Sequence, residues 1–253
     1  MTQSYLLHLA MLLVAATWAG TQNQLAGGGS FITLPALILT GMDARAANIT
    51  STVALFPGQM AGGWLGRKSA SGTEGLSFRA LVIISLVGGA LGAVLLLLTP
   101  SSIFEHMVPW LVLFATVAFA WGSFGRKGEA TGTGINPAVA GAIQFCIAIY
   151  GGYFGGGIGF LMLAALALAG VAVRSAAATK NVLAGVMNFT AVLVFMFSRQ
   201  VHWLAAAVAC VGALAGSVLG ARVLHRVNEK ALRVVVVIIG LLLTVGLFLR
   251  ANG

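Results

Sequence analysis

The chain has 253 residues, 59% of them hydrophobic and 8% charged, with a mean hydropathy of +1.01. Soluble domains carry about 25% charged residues, so a soluble globular fold is excluded, and the apolar runs lack the alternation that a membrane barrel needs. The net charge of +9 comes from basic residues in short connections between apolar runs, a pattern of membrane topology rather than of a nucleic-acid partner.

The N-terminal stretch has an apolar core but no basic lead, so it reads as a first helix rather than a cleaved signal peptide. Residues 4–41 are mostly apolar but broken by Q-N-Q-L-A-G-G-G-S, which predicts two short helices joined by a polar hinge. Residues 46–65 begin with Asn48, Thr50, Ser51 and Thr52 and predict a helix with a polar start, interrupted at Pro57-Gly58. Helices are expected at 79–98 and 103–124. After a loop ending at Asn136 the plan restarts, with two apolar pieces hinged at glycines over 137–171 and helices at 175–197, 202–222 and 232–250.

The expected class is therefore an all-α polytopic membrane protein of about ten transmembrane or half-membrane helices. The expected division is a first repeat over 1–127, a cytoplasmic linker over 128–136 and a second repeat over 137–253. Gly27-Gly28-Gly29, Arg45 and Thr50-Ser51-Thr52 line up with Gly155-Gly156-Gly157, Arg174 and Thr179-Lys180-Asn181 when one residue is inserted. V-G-G-A-L-G at 87–92 resembles V-G-A-L-A-G at 211–216, a weaker echo, since small residues are common at helix contacts.

Placing Arg67, Lys68, Arg79, Arg126, Lys127, Arg174, Arg222, Arg226, Lys230 and Arg233 on one side leaves only Arg45, Arg199 and Arg250 opposite. The first side is then cytoplasmic and both termini are periplasmic. Residues 46–65 would run inward and 175–197 outward, so the repeats are expected to be inverted. That is the build of many secondary transporters, whose substrate sits near the midplane where broken helices meet.

A helix broken inside a membrane exposes N–H groups that attract anions. Lys180 adds charge of the same sign, and is the one basic residue not assigned to a loop or helix end. Such a lysine costs roughly 2.5–3.5 kcal/mol unless it faces a cavity or partner; the alternatives are snorkelling to the cytoplasmic surface or facing an anion. The five carboxylates, Asp43, Glu74, Glu105, Glu129 and Glu229, all fall in or near loops. The histidines sit toward segment ends, which argues against a proton pump or metal carrier. Cys146 and Cys210 read as packing residues. No nucleotide, zinc or nucleophile motif is present, so neither an enzyme nor a metal or other cofactor is expected.

At G-G-G-S-F-I-T-L-P-A-L and Y-G-G-Y-F-G-G-G-I-G-F-L-M-L, followed by A-A-A-T-K-N and Asn188, the sequence resembles the TauE/SafE family of sulfite and organosulfonate exporters. The resemblance implies transport of small sulfur oxyanions such as sulfite, thiosulfate or sulfoacetate across a bacterial inner membrane. It places the motif cores at Gly27, Gly28 and Gly29 and at Gly155, Gly156 and Gly157. The small-polar motifs fall at Thr50-Ser51 and Thr179-Lys180-Asn181; the first departs from the family's alanine-rich lead, having A-A-N-I-T-S-T.

The expected site has backbone N–H groups of both hinges on the anion oxygens and Lys180 as the charge. Donated hydrogen bonds are expected from Thr50, Ser51, Thr52, Thr179, Asn181, Asn188 and Tyr150 or Tyr153. The expected partners are the anion and lipid, with a homodimer as the candidate assembly. An anion channel, an importer of the same anions and a non-transporting membrane subunit are the rival readings.

Overall fold

The computed structural model describes residues 3–25, 28–124, 135–223 and 229–252. Among these the regular structure is helical: α1 (Gln3–Leu25), α2 (Ser30–Leu39), α3 (Ala44–Gly66), α4 (Phe78–Leu98), α5 (Ser101–Phe124), α6 (Pro137–Tyr153), α7 (Ile158–Leu168), α8 (Val173–Met196), α9 (Trp203–Val223) and α10 (Glu229–Asn252). The expected all-helical class holds. Five spans are long and apolar enough to cross a membrane: Phe78–Leu98, Ser101–Phe124, Arg174–Met196, Trp203–Gly220 and Arg233–Arg250. The short helices α2 and α7, of 10 and 11 residues, reach only about 15 Å, half of a hydrocarbon core.

Local chemistry sets the helix ends. Asp43 caps α3, its Oδ1 accepting from the N–H groups of Arg45 and Ala46 at 3.1 Å each. Asn136 caps α6, accepting from Ala138 N at 2.8 Å, and Pro137 occupies the first turn, where its missing N–H does no harm. The expected interruption at Pro57-Gly58 is not found, because α3 runs through Pro57. Proline removes one helical hydrogen bond but holds a helical φ, and Gly58 is not among the left-handed glycines that would turn the chain.

Such glycines do turn it elsewhere. Gly28 (φ 82°) precedes α2 and Gly157 (φ 73°) precedes α7; Gly41 (φ 93°) and Gly170 (φ 77°) follow them. Gly28 and Gly157 are separated by the same number of positions as Gly41 and Gly170, Arg45 and Arg174, and Thr50 and Thr179. No insertion is needed once left-handed backbone positions, rather than glycine triplets, are matched.

Contacts divide the chain into two compact units. One comprises Met1–Gly58, Thr99–Val117 and Phe195–Gly253, the other Gln59–Leu98 and Ala118–Val194. Each draws on both halves of the sequence, since a repeat in sequence need not be a compact body in space.

In the first unit α1 lies parallel against α9 with their backbones touching. A methyl on Gly216 would collide with the Thr17 carbonyl oxygen and lie 2.9 Å from Thr21 N; one on Gly212 would meet Leu13 O at 2.7 Å and the Ala16 methyl at 3.0 Å. In the second unit α4 lies parallel against α6 in the same manner. A methyl on Gly92 would collide with Ile149 O and lie 2.8 Å from Tyr153 N, and one on Gly88 would meet Phe145 O at 3.2 Å. The two glycine stripes, at 87–92 and 211–216, are thus positions where helices pack backbone to backbone.

The end of α3 completes the second unit, packing antiparallel along α8. A methyl on Gly63 would lie 3.1 Å from Asn181 O, and one on Gly66 3.5 Å from the Ala178 Cα. The core of this unit joins Leu81 of α4, Ile147 and Ala148 of α6, Ile158 and Met162 of α7, and Leu183 and Met187 of α8. That core holds the hinge before α7 between two long helices.

Candidate functional site

The hinge at 154–157 is built from conformations that only glycine adopts readily. Gly155 (φ 79°) and Gly157 (φ 73°) are both left-handed. Tyr150 braces the turn, its hydroxyl donating to the Gly156 carbonyl at 2.8 Å. Phe154 N and Gly155 N both donate to Tyr150 O, at 2.9 and 3.3 Å. The first turn of α7 then opens with N–H groups that have no acceptor within the helix.

Lys180 reaches this turn from α8. A methyl on Gly159, the second residue of α7, would lie 3.5 Å from Lys180 Cδ and 3.6 Å from Nζ. The side chain is partly buried, and the residue lies about 10 Å along α8 from Val173. Its ammonium and the positive end of the α7 dipole therefore occupy one place. Among the described residues no carboxylate forms an ion pair with it.

The first unit repeats this geometry with different chemistry. At the spacing that matches Thr50 to Thr179, the counterpart of Lys180 is Ser51. Ser51 also faces the first turn of a short helix, its Oγ 2.6 Å from Thr33 Oγ1 on α2, and the pair is buried. Gly29 N, at the cap of α2, is already bonded to Asn23 Oδ1 at 2.7 Å. At the first turn of α2 the matching side chain is a neutral hydroxyl bonded to another hydroxyl, whereas the first turn of α7 meets a cation. Gly27 lies outside the described residues.

Several expected donors are already committed. Thr179 is fully buried; its hydroxyl donates to Ser71 O at 3.0 Å and accepts from Ser71 N at 2.9 Å. Thr50, also fully buried, accepts from His202 N at 3.2 Å. Thr52 donates to Asn48 O at 2.9 Å. Asn181 is partly buried on α8 beside Gly63, and Tyr153, the last residue of α6, packs its backbone N beside Gly92. Asn188 is buried and spends its amide on Gln59 Oε1 at 2.7 Å and Ala184 O at 3.0 Å.

The structure therefore gathers Tyr150, Gly155, Gly156, Gly157 and Lys180 around one hinge and gives Thr50 and Thr179 the task of tying connecting segments to α3 and α8. Sequence reasoning passed over Thr33, Asn23 and Gln59. Each carried a signal: Thr33 is the one polar residue of α2 beyond its first position, Asn23 sits in the polar hinge, and Gln59 matches Asn188 at the common spacing.

Five apolar spans long enough to cross a membrane, together with shorter apolar helices and no strands among the described residues, define an all-helical multi-pass membrane protein. The chain belongs to the family described as "Sulfite exporter TauE/SafE", whose model matches residues 12–247. Similar proteins include a "Probable membrane transporter protein" of Haemophilus influenzae, 29% identical over 93% of this chain and 92% of the relative. "Probable membrane transporter protein YfcA" of Escherichia coli K12 is 28% identical over 97% and 91%, and "Probable membrane transporter protein ORF9" of a Sinorhizobium species is 29% identical over 94% and 92%. No solved structure is significantly similar to the chain.

Proposed function

We propose that this protein is a secondary transporter that exports a small sulfur oxyanion, sulfite or an organosulfonate such as sulfoacetate, across a bacterial inner membrane by alternating access. The observation that carries this reading is the Lys180 ammonium set against the N-terminal turn of α7. An uncompensated cation beside a helix N-terminus binds oxyanions through both charge and N–H groups. The family description, naming sulfite export, supports the class of substrate.

Two inverted repeats of five helical segments form the frame in this proposal. The antiparallel packing of the end of α3 along α8, with Gln59 bonded to Asn188 at the common spacing, supports the inversion. The distribution of basic residues supports a cytoplasmic face at the Arg67–Arg79 connection and periplasmic termini. Export follows energetically, because a negative interior drives an anion outward by about 2.3 kcal/mol per charge per 100 mV.

The deciding experiment is binding of sulfite, sulfate, thiosulfate, sulfoacetate, taurine and chloride to purified protein, with Lys180→Ala alongside. Selective binding of one sulfur oxyanion, weakened at least about tenfold in the variant, is expected. Equal binding by both proteins would remove Lys180 from the site, and flux that never saturates in vesicles would favour a channel.

A further inference from the structure

We infer that Gln59 supplies a second hydrogen-bond donor to the transported anion, rather than its partner Asn188, which lies about 12 Å along α8 from Lys180. This rests on the anion-transport reading above. The argument begins with the orientation of two amides. Asn188 Nδ2 lies 3.0 Å from the Ala184 carbonyl oxygen, which can only accept. The atom there must therefore be the nitrogen, because the flipped amide would set two oxygens against each other. The same nitrogen is 2.7 Å from Gln59, so the Gln59 atom it meets must be the oxygen Oε1.

Both N–H bonds of Asn188 are thereby spent, and what Asn188 has left is an acceptor, which an anion avoids. The unspent donor of the pair is Gln59 Nε2. Among the described residues it donates to nothing, and since it is not one of the buried polar atoms left without a partner, it is open to its surroundings. Gln59 itself is only partly buried. A half-satisfied, accessible carboxamide inside a membrane protein is unfavourable against lipid and belongs on a route open to water or ligand.

Its position agrees. Gln59 and Asn188 stand at the same separation as Thr50 and Thr179, so they are matching residues of the two halves, and they touch where the end of α3 crosses α8. In transporters built from inverted repeats, the substrate passes at the repeat interface. Gln59 Nε2 is neutral, so it can hand an oxyanion on from Lys180 without trapping it by charge.

The test uses the purified full chain and sulfite and sulfoacetate as probes, measuring affinity and unfolding temperature for wild type, Lys180→Ala, Gln59→Glu and Gln59→Met. Gln59→Glu keeps an acceptor for Asn188, so the α3–α8 contact survives, but removes the donor and adds a negative charge. Its affinity should fall at least tenfold with the unfolding temperature unchanged. Should Gln59→Glu unfold, Gln59→Met, of similar length and apolar, is read in its place and should also bind at least tenfold more weakly. Wild-type affinity in the folded variant, with Lys180→Ala impaired, overturns the role of Gln59 alone. Absence of anion binding by the wild type overturns the transport reading, and with it this inference.

Discussion

Lys180 and Thr179 are neighbours with opposite duties, and their substitutions should separate. Thr179 both donates to and accepts from the Ser71 backbone from a fully buried position. Thr179→Val leaves that backbone N–H and carbonyl without partners, a loss of about 1–3 kcal/mol. We expect a lower unfolding temperature in detergent and little change in anion affinity among the molecules that remain folded. Lys180→Ala should do the reverse, because removing an isolated cation from a membrane helix leaves no orphaned partner. If Thr179→Val instead abolished binding at unchanged stability, its hydroxyl would belong to the ligand.

The counterpart position in the first half sharpens the contrast. Ser51 and Thr33 satisfy each other in a buried pair, so Ser51→Ala should destabilise by about 1 kcal/mol, read as a small drop in unfolding temperature. Polar residues at matching places were visible in the sequence, with Lys180 in the second half as the expected charge. Which hydroxyls face a ligand and which face backbone was not visible, because hydrogen-bond partners such as Ser71 for Thr179 lie far away in the chain.

Among the helices and their breaks, glycine serves two purposes that sequence alone merges. At Gly157 the requirement is conformational: an alanine there must adopt φ near 73°, at about 1–2 kcal/mol. At Gly156 the requirement is space, since an added Cβ would sit 2.6 Å from the Phe154 ring. Gly156→Leu should therefore displace the aromatic ring and damage transport; normal transport by that variant would refute a role for the hinge. At Gly92 the requirement is contact between backbones. Gly92→Ala forces α4 away from Ile149 on α6 and should lower the unfolding temperature. Gly62→Ala, in a helix with nothing within 4 Å of the added methyl, should leave it unchanged or raise it, since alanine favours helix by about 1 kcal/mol. Equal effects at the two sites would refute the close-packing account. Pro57 belongs to the same lesson. It marks a break only where the next residue turns left-handed, and α3 continues through it.

For the molecule as a whole, the testable consequence is electrical. If a single negative charge moves without a counter-ion, an imposed potential of 100 mV should shift the equilibrium distribution of the anion across vesicles about 50-fold. Indifference to the potential would mean that a proton moves with it or that another anion is exchanged against it. Topology can be checked separately by placing a cysteine at Glu74, an exposed loop residue. It should resist impermeant thiol reagents in intact cells and react in inverted vesicles, and the opposite result would reverse the proposed orientation.

Composition and the run of apolar residues together determined that the chain is an all-helical membrane protein, because so few charges exclude a soluble fold and long apolar runs without alternation exclude a barrel. The glycine motifs and the matched small-polar segments were enough to reveal the family, and Lys180 stood out because a cation inside apolar sequence demands an explanation. Tertiary structure decided the rest. It put α1 with α9 and α4 with α6, pairing helices from opposite halves through glycine stripes whose partners no local pattern names. It carried Lys180 to the start of α7 and turned the Asn188 amide onto Gln59. The physical reason is common to all of these: hydropathy and backbone preference are local properties of residues, whereas close approach and hydrogen bonding depend on which distant segment lies opposite.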